Sequence, residues 1–436
     1  MPVTDVNPYV IQFKRFNDLR TAGPAWLRAI REHAFARFTT LGFPTARQEE
    51  WRFTNVSPIA ERAFQVAVAG AGVRGGQVAP FGLAAADAVE IVFVNGRFAP
   101  GLSTLQALPP GVSVRSLADV LTADSERVAA HLARHAAFDN EPFAALNTAF
   151  ASDGAVVEAS PNAVVTRPIH ILFVAASGGE VSYPRVLVRA GRNSQMQLVE
   201  SHIAPDGSPT RLGHPGAPSF TNAVSEIVLD DGAVVDYYRV QREATDSFHV
   251  STTQVTLSHS STFSSHTFSF GGAIVRNDIN ALLAGEGGDC TLNGLYLAGG
   301  TQLVDNHTVI DHAQPHCGSH EVYKGILGGR ARAVFNGKIL VRPDAQKTDA
   351  KQTNKNLVLS EDATINTKPQ LEIFADDVKC THGATVGQLD AESMFYLRSR
   401  GIDAGQARAM LIDAFAHEVI DGIKEQKFRE YVGQLV

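Results

Sequence analysis

A chain of 436 residues that is 44% hydrophobic and only 19% charged has ample material for a large core, which excludes a disordered protein. Its 38 basic and 45 acidic residues give a net charge of −7, and without a basic excess neither nucleic acid nor an anionic membrane is an expected partner. No apolar run reaches the length of a membrane span, the start lacks the apolar centre of a secretory signal, and Cys290, Cys317 and Cys380 are too few and scattered for a disulfide framework, so the expectation is a soluble protein of a reducing cytoplasm.

Residues 1–150 are expected to form a mainly helical region. Within 24–42, Trp26, Leu27, Ile30, Ala34, Phe35 and Phe38 fall at helical spacing, with Pro24 at the start and Gly42 at the stop. The charged stretch RQEEWRFTN at 47–55 surrounds one of the two tryptophans. A short strand is predicted over 90–98, with a turn at Asn95-Gly96, and helix returns over 113–150.

From 151 to 388 the character changes to short runs of Val, Ile, Leu, Phe and Thr broken by Gly, Asp, Asn and Ser, which predicts a β core. Strands are expected at 169–175, 185–189, 195–200, 225–229, 233–240, 333–341 and 356–359. An antiparallel sandwich and a parallel solenoid both accommodate them, and no strict repeat length decides. Two features lean toward a solenoid: turn clusters at uneven spacing, and Gln352, Asn354 and Asn356 in alternation, which resemble a stacked amide ladder as much as a solvated face.

Residues 371–387 predict a strand, a turn at 375–377, and a second short strand ended by Gly383. Alternation places Cys380 and His382 on one face, about 7 Å apart along the chain, with Lys379 and Thr381 on the other. A thiol and an imidazole are two ligands where a stable tetrahedral site takes about four, so a site here needs help from elsewhere in the chain or from a second protein. Residues 389–436 are expected to be helical. Asp390 caps one helix, and Asp403 caps another with the stripe Ala407, Met410, Leu411, Ala414, Phe415 and Val419.

Other motifs fail on spacing. The stretch 305–324 holds His307, His312, His316, Cys317 and His320, but these fall on both faces of an irregular strand and loop, which does not suit a zinc site. His320-Glu321 and His417-Glu418 each lack the second histidine of a zinc-protease helix, since Lys324 and Asp421 stand in its place. Gly337-Lys338 is followed by Ile339, so there is no phosphate-binding loop and no nucleotide is expected on this chain. His249, His259 and His266, in Ser/Thr-rich strands, are expected at the surface. No catalytic residue is assigned.

The segments KCTHGATVGQLD at 379–390 and FYLRSRGI at 395–402 carry a resemblance. With QEEWRFTN at 48–55, HCGSHEVYKGIL at 316–327 and FNGKILVRPDAQKTDAKQTNKNLVLS at 335–360, they are similar to the SufB/SufD family of iron–sulfur cluster assembly proteins, most of all to its SufD branch. The resemblance runs from residue 47 onward in the family's order. It implies a mainly β fold, with a right-handed parallel β-helix core between N-terminal and C-terminal helical regions. It also implies a non-catalytic scaffold that pairs with a SufB-like paralogue and binds a SufC-like ABC ATPase, with a homodimer possible in isolation.

Carried over residue by residue, Cys380 and His382 match the family's interface cysteine and histidine, where an iron–sulfur cluster would be held transiently with the partner. Phe395, Tyr396, Arg398, Arg400, Met410 and Phe415 lie in the segment that matches the ATPase-binding helices. A flavin is not legible in the sequence. The rival readings are a SufB-like scaffold that binds the nascent cluster itself, and a carbohydrate-active β-helix enzyme, which would need paired carboxylates in a groove.

Overall fold

The structure, a computed structural model, describes residues 7–18, 23–67, 72–81, 83, 88–106, 108–205 and 217–436. Its centre is a parallel β-solenoid in which successive strands alternate between two sheets. In the first sheet Phe220, Phe248, Ile274, Leu303, Arg332 and Thr364 are successive register partners. A coil therefore takes from 26 residues (248 to 274) to 39 (185 to 224), and this drift hides the repeat in the sequence. Parallel pairing throughout the core settles the choice against an antiparallel sandwich.

Most strands of the later coils are ten residues long and alternate as period-two segments do. In Asp349–Val358, Ala350, Gln352, Asn354 and Asn356 are buried while Asp349 and Lys351 are exposed. The polar alternation thus faces inward and not to solvent, but it is not a stacked ladder. The register partners of Gln352, Asn354 and Asn356 are Glu321, Tyr323 and Gly325 on one side and His382, Ala384 and Val386 on the other. Instead, Asn356 Nδ2 donates to Asn354 Oδ1 at 2.6 Å, and Tyr296 Oη donates to Asn356 Oδ1 at 2.6 Å.

The solenoid interior mixes an apolar layer, including Val235, Phe263, Leu292, Ile310 and Phe335, with a buried polar one. Glu200 accepts from Tyr237 and Ser225 and pairs with His202 at 2.7 Å; Glu243 pairs with His249 at 2.7 Å. His249 and His266 are therefore not surface residues as the Ser/Thr-rich strands suggested, although His259 is exposed. The facing strands supply the hydrogen bonds that make such burial affordable, and a single strand's sequence does not reveal them.

Helices cover the outer faces. Tyr9, Phe13, Phe35, Phe38 and Phe150 pack on the ladder Phe220, Phe248, Ile274 and Leu303 of the first sheet. The predicted N-terminal helix spans Ala25–Leu41, ended by Gly42 at φ 64, where Gly42 N donates to Phe38 O. Ala416, Val419, Ile420 and Phe428 of the C-terminal helices pack on Tyr238, Phe268, Leu295 and Ile326 of the second sheet.

Two sequence expectations change. Residues 112–116 form a strand, not the start of a helix, because Val112, Val114 and Ser116 alternate against Val157 and its neighbours; Ser116 then caps the helix Leu117–Ala123. With Val89–Val94 in the second sheet, both sheets begin within the first 150 residues. Among the described residues no helix is long and apolar enough to cross a membrane.

Candidate functional site

Among the described residues no element pairs with the outer edges of the solenoid's last strands. Thr364–Ile373 and Lys379–Gly387 are the last strands of their sheets, and each leaves one row of backbone donors and acceptors unpaired, a ready template for another chain. Phe374 (61% exposed), Val386 and Ile373 add apolar surface at this end. The final strand continues through Gly383 to Gly387, longer than the sequence suggested, because ladder pairing with Asp349–Leu357 carries it past the glycine.

Cys380 and His382 lie on this last strand. Cys380 is the register partner of Ala350 and packs half-buried against the cluster of Ile339, Val341, Ala345, Ala350 and Ala375; His382 is the partner of Gln352 and is exposed. Burial pushes the Cys380 thiol up from its ordinary value, the backbone at Ala350 opposes this, and the Asp349 charge adds to it. The sulfur is thus protonated at neutral pH, and a metal that bound it would have to displace the proton. Among the described residues no group of three or more His, Cys, Asp or Glu side chains is placed to hold a metal ion, so the pair is a partial ligand set.

The histidine-rich stretch 305–324 is dispersed. His307 faces outward between Asp305 at 3.0 Å and Glu50 at 3.3 Å, His312 faces inward onto Ser319 at 2.9 Å, and His316 and His320 are exposed. His307 belongs to a clamp that the sequence did not announce. Arg276 stacks 3.9 Å over Trp51 and donates to Asp305 and to Glu50 O, Thr54 donates to Asp305 at 2.5 Å, and Asn336 donates to Glu50 at 3.1 Å. The stretch 47–55 thereby ties the N-terminal helices to the first sheet. Trp51 amid charge was the one signal for it.

Beside the open end stand the helices Ala391–Ser399 and Ala404–Ile420. Their caps are those expected: Asp390 accepts from Ser393 N at 2.7 Å, and Asp403 from Gly405 N and Gln406 N. Ala391–Ser399 has no buried residue, and Phe395 is 75% exposed beside exposed Tyr396, Arg398 and Arg400, with Arg400 stacked on Tyr396 at 4.8 Å. Tyr396 and Phe395 line a concavity with Asp390, Glu392 and Leu411. Met410 is exposed, whereas Phe415 turns to the solenoid beneath Lys324 Nζ, 4.0 Å from its ring centroid. A second groove, lined by Val386, Leu389, Leu411 and Phe415, runs from the last strand to these helices.

Comparison with known proteins gives this architecture its relatives. Residues 173–415 match the SufBD core domain of SUF system FeS cluster assembly, and residues 7–171 match the SufBD protein N-terminal region. An iron–sulfur cluster assembly SufBD family protein of Synechocystis sp. is 38% identical over 395 residues, covering 90% of this chain and 86% of the relative. The iron–sulfur cluster assembly protein SufD of Escherichia coli is 30% identical over 402 residues, 90% of this chain and 88% of its own length. The chloroplastic protein ABCI7 of Arabidopsis thaliana is 28% identical over 441 residues, 97% of this chain and 89% of its own. With the N-terminal helices, the solenoid and the last strand inside these matches, the chain belongs to the SufBD family and has a role in iron–sulfur cluster assembly.

Proposed function

We propose that the chain is a non-catalytic, SufD-like scaffold subunit that pairs through its open solenoid end with a SufB-like paralogue. The observation that carries this reading is the terminal strand: a thiol and an imidazole on an unpaired β edge, with no third ligand beside them among the described residues. Thiolate and imidazole both suit iron, and a strand added by a second chain would bring the missing ligands. The iron–sulfur cluster is then cargo held at a composite site between subunits.

The C-terminal region, residues 389–436, binds a SufC-like ABC ATPase in this account. Exposed Phe395 and Tyr396 beside Arg398, Arg400 and Met410 give the aromatic and arginine composition of an interface centre. ATP hydrolysis belongs to that partner. For nucleotide to gate the composite site, the ATPase must bind one arrangement of the scaffold pair more tightly than another.

The test is anaerobic reconstitution of the isolated chain and of its complex with paralogue and ATPase, followed by iron and sulfide counts. Cluster in the complex and none on the isolated chain is the expected result. A stable cluster on the isolated chain would contradict the composite site and favour the SufB-like alternative.

A further inference from the structure

Beneath His382 the solenoid interior holds a polar column. The inward-facing residues Leu292, Glu321, Gln352 and His382 are register partners on four successive strands of the second sheet. Glu321 is fully buried, Gln352 is 1% exposed, and Gln352 Nε2 donates to Glu321 Oε2 at 2.7 Å. That bond leaves Gln352 Oε1 buried with no partner, on the residue paired in register with His382 across one strand spacing of about 4.8 Å. The opposite sheet makes room for the amide: a Cβ on Gly337 would stand 2.4 Å from Gln352 Nε2.

Resting on the reading of Cys380 and His382 as cluster ligands, we infer that Glu321 and Gln352 are positioning residues that set the tautomer and orientation of the His382 ring. A histidine that ligates a metal through one nitrogen almost always donates the N–H of the other to an oxygen acceptor. Gln352 Oε1, unpartnered on the register neighbour of His382, is such an acceptor. With its inner N–H held there, the ring presents the lone pair of its outer nitrogen at the open edge.

The carboxylate fixes which end of the amide points up. Ionised Glu321 only accepts, so it holds Gln352 Nε2 downward and Oε1 toward His382. Protonated Glu321 donates instead. The amide then turns over, Nε2 donates to the inner ring nitrogen, and the proton of a neutral ring sits on the outer, metal-facing nitrogen. Burial raises the Glu321 carboxyl to about 7, opposed by Thr308 and Gln352, so both states are accessible near neutral pH. Besides His382 and Cys380 above, the titratable groups that act on this interior are Cys290 and Tyr323; burial keeps both in their neutral forms, and Thr308 and Gly337 from the facing sheet are uncharged.

Two variants test this in the full chain: Glu321→Gln, which keeps the shape and removes the charge, and Gln352→Leu, which removes the acceptor. The ring nitrogens of 15N-histidine-labelled protein are followed by NMR from pH 6 to 8, with His382 assigned by its loss in His382→Asn. In the parent chain the tautomer ratio of His382 should change with pH, and in both variants that dependence should vanish. Cluster assembly by the ternary complex should fall about 10-fold in each, the usual consequence of losing a metal-ligand orienter. If one variant does not fold, the other is read alone. A His382 tautomer ratio that titrates as in the parent in a folded variant overturns the inference. So does unchanged assembly in a folded variant when His382→Ala abolishes it. Unchanged assembly in His382→Ala itself would instead remove the ligand reading, whatever the NMR shows.

Discussion

Lys324, whose side chain is fully buried against the outer face of the second sheet, places its Nζ 2.6 Å from Glu418 on the C-terminal helix and 2.7 Å from Phe415 O. Lys355, on the next strand toward the open end, reaches the same carboxylate at 3.1 Å. One glutamate therefore joins the helix to two strands, the second of which pairs with the strand of Cys380 and His382. In the proposed complex this is where movement of the ATPase-binding helices would reach the solenoid end.

Glu418→Ala should loosen that joint. Glu418 is half exposed, so solvent screens the pair, and a loss of about 1 to 2 kcal/mol is expected rather than the larger penalty of a sealed pair. Hydrogen exchange over residues 404–420 should quicken while exchange in the first sheet stays unchanged. Uniform exchange in both would mean that the contact is incidental.

The N-terminal clamp predicts a larger effect. Arg276→Leu leaves Asp305, buried and held well below its ordinary carboxyl range, without its guanidinium partner. A loss of about 3 kcal/mol in urea unfolding is expected. Arg276→Lys, which keeps the charge but not the planar fork stacked on Trp51, should recover only part of it. Full recovery by lysine would show that charge alone holds the segment.

Stability should be greatest near pH 6.5 and decline on both sides. Burial lowers His249 to about 4 from 6.5, so its contribution is complete above 6.5 and lost as pH falls toward 4. Burial alone would raise Glu200 and Glu243, but their histidine partners and hydrogen bonds pull both down to about 2; their contribution is complete above 4.5 and lost below it. His307 moves the other way. Burial opposes its charge, yet Asp305 and Glu50 lift it to about 9, so its contribution is complete below 6.5 and lost as pH rises to 9. Melting temperatures of His307→Gln should therefore show a weaker decline over pH 7.5 to 9 while keeping the acid one, and the loss contributed by buried Glu321, raised to about 7, as pH rises through 7 should remain.

Inside the solenoid, Gly294 lies under the ring of its register partner Tyr323, and a Cβ there would stand 2.2 Å from the ring. Gly294→Ala should destabilise by about 1 to 3 kcal/mol through overpacking, and adding Tyr323→Phe should not relieve it, since the ring remains. Thermal unfolding of the single and double variants decides this.

Much of this architecture was legible in the sequence because it is local. Asp390 and Asp403 read as caps, Gln352, Asn354 and Asn356 as one face of a strand, and Cys380 and His382 as neighbours on one strand face, since period two and capping chemistry act over a few residues. The solenoid itself was only one of two options, because coils that vary from 26 to 39 residues erase a repeat. The joint of Lys324 with Glu418, the clamp of Trp51 with Arg276, and the burial of His249 join residues far apart in the chain. Nothing in either local sequence encodes the partner. His417-Glu418 was considered only as a zinc fragment, yet its glutamate is the anchor of the C-terminal helix.

The central claim is that this chain supplies part of a cluster site at its open end. The most direct test is the iron and sulfide content of the reconstituted complex with paralogue and ATPase, comparing the parent with Cys380→Ala and His382→Ala after size-exclusion chromatography shows the complex intact. At least one substitution should sharply reduce cluster content. Full cluster in both, in an intact complex, would contradict the account.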